Sequence, residues 1–133
     1  MNHDFYENIK VDGSTLTLSG IGKPCPTKEN PEYFSRALIE HVVINNTVTT
    51  ITQNLFSNYM LLKTLNLSNV ERIEKYAIYN TNLKMLYIPK SVIEIDEFAF
   101  GNNKELETIE FEETEKEIKI NNYAFSNCPK LSS

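Results

Sequence analysis

Residues 83–106 read LKMLYIPKSVIEIDEFAFGNNKEL. Apolar side chains recur at fixed positions in this stretch, and the same pattern occurs four times along the chain at nearly regular intervals. The copies open at Ile39, Leu62, Leu83 and Leu106. Leu131 begins a fifth copy that does not develop. Self-similarity at such a short period is typical of a solenoid, in which neighbouring rungs stack because one rung cannot cover its own apolar side.

Two columns of side chains define the predicted core. The isoleucine column comprises Ile51, Ile73, Ile95 and Ile120. The second column comprises Phe56, Ile78, Phe100 and Phe125. Both columns advance by the same steps, and in both the last step is the longest. This longer step contains the acidic residues 112–117, which we expect to form an outward loop because insertions in repeat proteins map to loops.

An asparagine column follows the second core column by two residues. It comprises Asn58, Asn80, Asn102 and Asn127. Asparagine tolerates the left-handed backbone conformation, and its side chain can hydrogen-bond nearby backbone groups at a tight turn. The column therefore predicts a structural turn in each rung, and a row of amides that binds a ligand or an ion is the alternative.

Residues 1–38 do not repeat, and we predict that they cap the first rung. Residues 5–11 and 14–19 have strand-like patterns joined across Asp12 and Gly13, which indicates a β-hairpin. A short helix is predicted over residues 31–39, because Asn30 and Pro31 form a typical helix start. Its apolar stripe would cover the open edge of the first rung. The chain is then one domain, with a cap at 1–38 and four repeats and a truncated fifth at 39–133.

Composition limits the classes of function. The chain has 133 residues, a net charge of -5 and scattered basic residues, which argues against nucleic acid as a partner. No run of 18 apolar residues is present, so we predict no membrane span. Residues 1–10 lack the features of a secretory signal, so the chain is either cytoplasmic or has lost its signal. Cys25 and Cys128 are expected at opposite ends of the solenoid, too far apart to bridge, and are predicted to be free thiols.

The spacing of Leu83, Leu86, Ile88, Ala99 and Phe100 resembles the BspA-type leucine-rich repeat, the treponemal class of that superfamily. The leader 13–22 is similar to the segment that often precedes the first repeat in those proteins. Cys128 matches a position where that family often has cysteine, and other residues replace it in the earlier copies: Tyr59, Thr81 and Asn103. The predicted fold is therefore α/β but mainly β. It is a right-handed leucine-rich-repeat solenoid with a parallel concave sheet, preceded by a β-hairpin and a short helical cap.

Catalytic patterns are not apparent in the sequence. His3 and His41 offer no plausible pair for zinc, and no nucleophile triad has supporting context. Only four glycines occur, and their spacing matches neither a Walker motif nor a dinucleotide-binding fingerprint. We therefore predict that the chain is not an enzyme and needs neither cofactor nor metal. A divalent cation at the carboxylates of residues 105–117 is the alternative.

The outward positions of the predicted strands favour a binding role. Adjacent strands lie about 4.8 Å apart, so these positions form two rows. The first row is His41, Thr64, Met85 and Thr108, and the second is Val43, Asn66, Tyr87 and Glu110. Met85 and Tyr87 lie at the centre, and methionine and aromatic side chains are enriched at interface anchors. We therefore predict a protein-binding or adhesion module with these residues as its partner-binding face. Exposed apolar residues without function are the alternative, since they are common.

A structural role is the rival hypothesis. Only two residues follow Leu131, so the last rung has no obvious cap, although solenoids normally need one. This predicts either an end-to-end homodimer through the C-terminal rung or a spacer cut from a longer surface protein. The resemblance implies a secreted or surface-exposed protein that binds a protein or another macromolecule, and a cytoplasmic location stays open.

Overall fold

The computed structural model describes residues 9–19 and 38–131. Within these residues the chain forms ten strands and almost no helix. Each rung contributes one strand to a concave layer: β3 His41–Ile44, β5 Thr64–Asn66, β7 Met85–Ile88 and β9 Thr108–Phe111. Each rung also contributes a short second strand: β4 Thr50–Ile51, β6 Arg72–Ile73, β8 Glu94–Ile95 and β10 Lys119–Ile120. The result is a mainly β, parallel-sheet solenoid of about four turns, as the sequence predicts.

The second strands form one parallel sheet in the order β10-β8-β6-β4. Ile51 pairs with Ile73, Ile73 with Ile95, and Ile95 with Ile120, so the isoleucine column is confirmed. The second column is confirmed as well. Phe56, Ile78 and Phe100 are buried, and the Phe100 and Phe125 rings are stacked with centroids 5.3 Å apart. Apart from Ile120, which is 40% exposed on the last rung, the members of both columns lie in or pack against one continuous core.

The concave layer differs from the expected uninterrupted sheet in one detail. β3 pairs with β5 and β7 pairs with β9, both in parallel, but β5 and β7 belong to separate hydrogen-bonded sheets although they lie side by side. The repeat period determines which residues of β5 and β7 lie opposite each other. Backbone hydrogen bonds between the two strands also require that their backbones approach closely, which the repeat period does not determine. Leu65 on β5 is only half-buried, while its counterparts Val42 and Leu86 are fully buried.

The N-terminal hairpin is confirmed and has a larger role than predicted. Its strands are β1 Ile9–Asp12 and β2 Thr15–Leu18, and the connecting turn contains Gly13 with a φ of 61°. β2 also pairs in parallel with β3, which places Leu16 beside Val42. Leu16 and Leu18 are buried in the common core. The hairpin therefore caps the first rung by extending both its sheet and its core. Outside the described residues lie Cys25, residues 5–8 and most of the predicted helix over 31–39.

The asparagine column adopts the predicted backbone but makes different hydrogen bonds. The φ angles of Asn58, Asn80, Asn102 and Asn127 are 67°, 61°, 57° and 60°. Their side chains bond one another rather than nearby backbone groups. Asn80 Nδ2 donates to Asn58 Oδ1 at 2.8 Å, and Asn102 Nδ2 donates to Asn80 Oδ1 at 3.0 Å. Asn127 Nδ2 continues the ladder to Asn102 Oδ1. Equivalent turns one rung apart bring the amides within reach, so the structural interpretation is supported.

The column that contains Asn103 and Cys128 makes structural contacts too. Asn103 is completely buried, and its Nδ2 donates to the carbonyl oxygens of Ile78 at 2.9 Å and Phe100 at 2.7 Å. Its Oδ1 accepts hydrogen bonds from the backbone N–H and the hydroxyl of Thr81. Cys128 is a half-buried free thiol, as predicted, with Sγ 3.4 Å from the Phe100 carbonyl oxygen. Asn103 and Cys128 thus each bond to their own rung and to the preceding one.

Candidate binding face

The structure brings the predicted face together as two rows. Register pairs His41 with Thr64 and Val43 with Asn66 on one half of the face. On the other half, Met85 faces Thr108 and Tyr87 faces Glu110. The two halves adjoin where β5 and β7 lie side by side. In-register neighbours point to the same side of a sheet, so each row forms a continuous line of side chains.

Alternation along β7 separates the core from the surface. Leu86 and Ile88 are buried, whereas Met85 is 55% and Tyr87 44% exposed. Val43 on β3 is also exposed. At the other side of the first row, His41 Nδ1 lies 2.7 Å from Thr64 Oγ1, so these two polar side chains partner each other. The apolar part of the face therefore centres on Met85 and Tyr87.

The hairpin extends both rows, and we did not predict this extension from the sequence. Thr15 pairs with His41 and Thr17 with Val43, and these threonines in turn pair with Asp12 and Lys10 on β1. The second row therefore runs from Lys10 at one end to Glu110 at the other. The alternation of threonine and leucine in residues 15–18 was the sequence feature that could have indicated these outward positions. Pairing with the first rung was hidden because the hairpin does not share the repeat period.

A groove opens beside Tyr87 where β5 and β7 part. It encloses about 500 Å³ and is lined by Asn66 and Tyr87, among others. It meets a second depression of about 980 Å³ that reaches the loop 112–118 between β9 and β10. Both depressions are bordered by Ser68, Pro89 and Glu112. The two depressions therefore adjoin, and together they form the groove that leads from the face to the loop 112–118.

The charged lining of this groove comprises Glu112, Glu113 and Glu115 together with Lys90 and Lys116. Residues 110–117 contain five glutamates and one lysine. Glu112 Oε1 accepts a hydrogen bond from the backbone N–H of Lys90 at 2.9 Å, which holds the start of the loop against the third rung. Partial desolvation, and then the charges of Glu112 and Glu110, raise the pKa of Tyr87 above its ordinary value. The Tyr87 phenol therefore remains a neutral hydrogen-bond donor at physiological pH.

A second surface feature is an aromatic column that we did not predict from the sequence. Of its three rings that of Tyr123 is exposed, whereas those of Tyr76 and Phe98 are half-buried. The rings of Tyr76 and Phe98 stack with centroids 5.3 Å apart, and those of Phe98 and Tyr123 at 5.7 Å. Tyr76 and Phe98 both have a φ of 57°, which is unusual for bulky residues. These three residues are separated by the same intervals as the members of the core columns, which was the available signal. The column lies outside the two rows and links three successive rungs.

Other kinds of site find little support in the described part of the chain. Residues 9–19 and 38–131 contain no cluster of three or more histidine, cysteine, aspartate or glutamate side chains suited to a metal ion. Nor does any helix in those residues have the length and apolarity to cross a membrane.

Comparison with known proteins gives one family match. Residues 27–133 match the family described as BspA type leucine-rich repeat region (6 copies). No protein of curated function matches the chain.

Three solved structures resemble the fold. The pneumococcal vaccine antigen PcpA is 20% identical with a TM-score of 0.61, over 93% of this chain and 40% of PcpA. A leucine-rich repeat protein from Bacteroides ovatus is 18% identical with a TM-score of 0.49, over 92% and 44% of the respective chains. A leucine-rich cell surface protein from Faecalibacterium prausnitzii is 17% identical with a TM-score of 0.45, over 94% and 53%. The likeness to PcpA shows a common fold, and this chain spans less than two thirds of each of these proteins.

Proposed function

Because the chain belongs to the BspA-type leucine-rich repeat family, we propose that it is a non-enzymatic protein-binding module whose contact surface is the concave face. The observation that carries the proposal is the exposure of Met85 and Tyr87 at the centre of two in-register rows. An apolar patch framed by polar residues is typical of a surface that a partner covers. Tyrosine is enriched among residues that dominate binding energy. The rows supply the polar rim through Thr64, Asn66 and Thr108.

The proposal includes display at the cell surface or outside the cell. This location is carried over from the family resemblance, and PcpA, which has the same fold, is described as a vaccine antigen. In this setting the module acts as an adhesin, with residues 1–38 capping the repeats of residues 39–133. Adhesion here requires only the surface rows, without cofactor, metal or catalysis.

A paired substitution tests the face. The variant Met85→Ala/Tyr87→Ala removes both anchors, and Met60→Ala/Tyr123→Ala is its matched control, because Met60 and Tyr123 are similarly exposed at 53% and 56% outside the rows. Both variants are compared with the native chain for binding to a panel of purified extracellular proteins on a biosensor. We expect the face variant to lose about 2 kcal/mol of binding free energy, about 30-fold in Kd, for any partner of the native chain.

The control variant is expected to stay within about threefold of native affinity. The face variant is expected to keep the native thermal midpoint within a few degrees, as is usual for surface substitutions. The control is expected to unfold at a slightly lower temperature, because it loses the stacking of Tyr123 on Phe98. Undiminished binding by the face variant would show that the partner contacts another surface.

A second candidate function is end-to-end association through the fourth rung. Phe111 and Ile120 are 42% and 40% exposed there, although their counterparts Ile88 and Ile95 are buried. A second chain stacked on this rung would bury them. Light scattering tests this candidate: it predicts a dimer that Phe111→Ser/Ile120→Ser dissociates, and a native monomer at high concentration would refute it.

A further inference from the structure

We propose that the groove beside Tyr87 selects its protein partner through an extended segment rich in lysine or arginine. This inference rests on the proposed function, since it names the partner chemistry for the same face. It is carried by three observations: the groove leads from the face towards the loop 112–118, glutamates outnumber lysines in its lining at the loop end, and an exposed aromatic ring lies at its inner end.

The shape of the groove suits a linear segment. It begins between Asn66 and Tyr87 on the face and continues past Ser68 and Pro89 to Glu112 and the loop beyond. These residues lie at or beyond the C-terminal ends of β5, β7 and β9, so the groove crosses three successive rungs at the same edge of the solenoid. A segment in this groove contacts side chains from each rung in turn.

The charges along the groove identify the segment. Three glutamates line the groove, Glu112, Glu113 and Glu115, against two lysines, Lys90 and Lys116. Glu110 and Glu117 lie next to this lining in the sequence, so carboxylates are in excess in this part of the chain. Within residues 9–19 and 38–131, Glu110, Glu113, Glu115 and Glu117 form no ion pair. Complementary charge in a partner gives specificity and a faster encounter. These unpaired carboxylates therefore favour a cationic partner.

The arrangement of the carboxylates favours a polycation over a metal ion. In the described chain these side chains do not converge in a group suited to hold a metal. Carboxylates spread along a loop instead suit successive positive side chains, each of which meets its own glutamate. Calcium, by comparison, requires six to eight oxygen ligands around one point.

Tyr87 supplies the second element of recognition. Its ring is exposed, and the charges of Glu110 and Glu112 act on its phenol. A lysine or arginine over the ring gains a cation–π interaction while lying close to those two carboxylates. A neutral or acidic side chain at the same position gains neither. The second row carries Lys10 at one end and Glu110 at the other. Because Lys10 repels positive charge, the basic part of the partner is directed towards Glu110 on the fourth rung.

The test uses a fluorescent peptide in which lysine alternates with serine around one central leucine. Two further peptides replace every lysine with serine or with glutamate. Anisotropy is measured with the complete native chain at an ionic strength of about 0.15 M and again at about 1 M, where the Debye length falls from about 8 Å to about 3 Å. We expect binding of the lysine peptide at the lower ionic strength, loss of most of it at the higher, and weaker binding of the other two peptides.

Two charge variants localise the interaction. Glu113→Gln/Glu115→Gln removes two loop carboxylates, and Glu71→Gln/Glu107→Gln makes the same change in net charge at exposed positions outside the groove. We expect the loop variant to bind the lysine peptide about three- to tenfold more weakly than the native chain and the control to stay within about twofold. Equal weakening by both variants would overturn the proposal, because only net charge would then matter.

The other outcomes are equally decisive. Equal binding of the serine peptide would show that the groove takes an apolar segment, and tighter binding of the glutamate peptide would show an acidic one. Either result, or no binding of the lysine peptide, overturns this inference alone if Met85→Ala/Tyr87→Ala still weakens capture of a protein partner about 30-fold. If that variant leaves partner capture intact, the proposed function itself fails.

Discussion

At the scale of single residues, two adjacent asparagines hold the rungs together in different ways. Asn102 belongs to the ladder of side-chain amides along the turns, with a φ of 57°. Asn103 is buried and satisfies backbone groups of two rungs. The repeat spacing predicts the position of Asn102 as structural, but it could not show that the amides of this column bond one another, because that depends on the distance between rungs.

Asn102 allows the contributions of backbone conformation and side-chain bonding to be separated. Asn102→Ala loses the bonds to Asn80 and Asn127 and puts a β-carbon at a positive φ, so we expect a loss of about 2–3 kcal/mol of unfolding free energy. Asn102→Gly loses the same bonds but accepts the left-handed conformation, so we expect about 1–2 kcal/mol. Urea denaturation measures both. Equal losses would show that the backbone conformation costs nothing here.

Cys128 yields a prediction of pH dependence. Burial raises the pKa of its thiol above the ordinary value, and a backbone hydrogen bond from Asn103 only partly offsets this. A raised pKa leaves less reactive thiolate at pH 8, so alkylation of Cys128 by iodoacetamide is expected to be slower in the folded chain than in urea. The folded rate should keep rising with pH above the ordinary thiol pKa. Mass spectrometry of the Cys128 peptide measures the rate, and equal folded and unfolded rates would contradict the assignment.

At the scale of elements, the hairpin is an additional strand of the solenoid rather than a separate appendage. Its β2 strand continues the parallel sheet of β3, and its leucines continue the core. The Gly13 turn was predictable from the local sequence, whereas the docking of β2 was not. Docking depends on tertiary contacts with the first rung, and the repeat pattern contains no information about a strand that lies outside it.

Substitutions on the two sides of β2 test this docking. Leu16 is 1% exposed, so Leu16→Ala is expected to cost about 2–5 kcal/mol of unfolding free energy through lost burial and a residual cavity. Thr17, on the outward side, is only half-buried, and Thr17→Ala is expected to change stability by about 0.5 kcal/mol or less. Urea denaturation again provides the measurement. A loss below about 1 kcal/mol for Leu16→Ala would indicate that the hairpin does not share the core.

The concave layer shows a second limit of prediction at this scale. Side-chain alternation placed Met85 and Tyr87 outward, and the structure agrees. The separation of β5 from β7, and therefore the groove beside Tyr87, could not be read from the sequence, because all four rungs have equivalent apolar positions. The loop 112–118 was predictable as an insertion, but its contact with Lys90 was not.

At the scale of the whole molecule, stacking places equivalent positions of four rungs side by side. The isoleucine column is in register through all four second strands, which the regular recurrence of these isoleucines in the sequence predicts. The same stacking creates three surfaces: the concave rows, the asparagine ladder and the aromatic column around Phe98. In the ladder and in the aromatic column the side chains contact one another, whereas Met85 and Tyr87 remain exposed at the centre of the rows.

The most direct test of the central claim is an NMR titration of the isotope-labelled native chain with the lysine-rich peptide. We predict amide shift changes concentrated at Asn66, Tyr87 and Glu112, and we predict that these changes disappear in Met85→Ala/Tyr87→Ala. Shift changes centred instead on Tyr76, Phe98 and Tyr123, or the absence of any change, would contradict it.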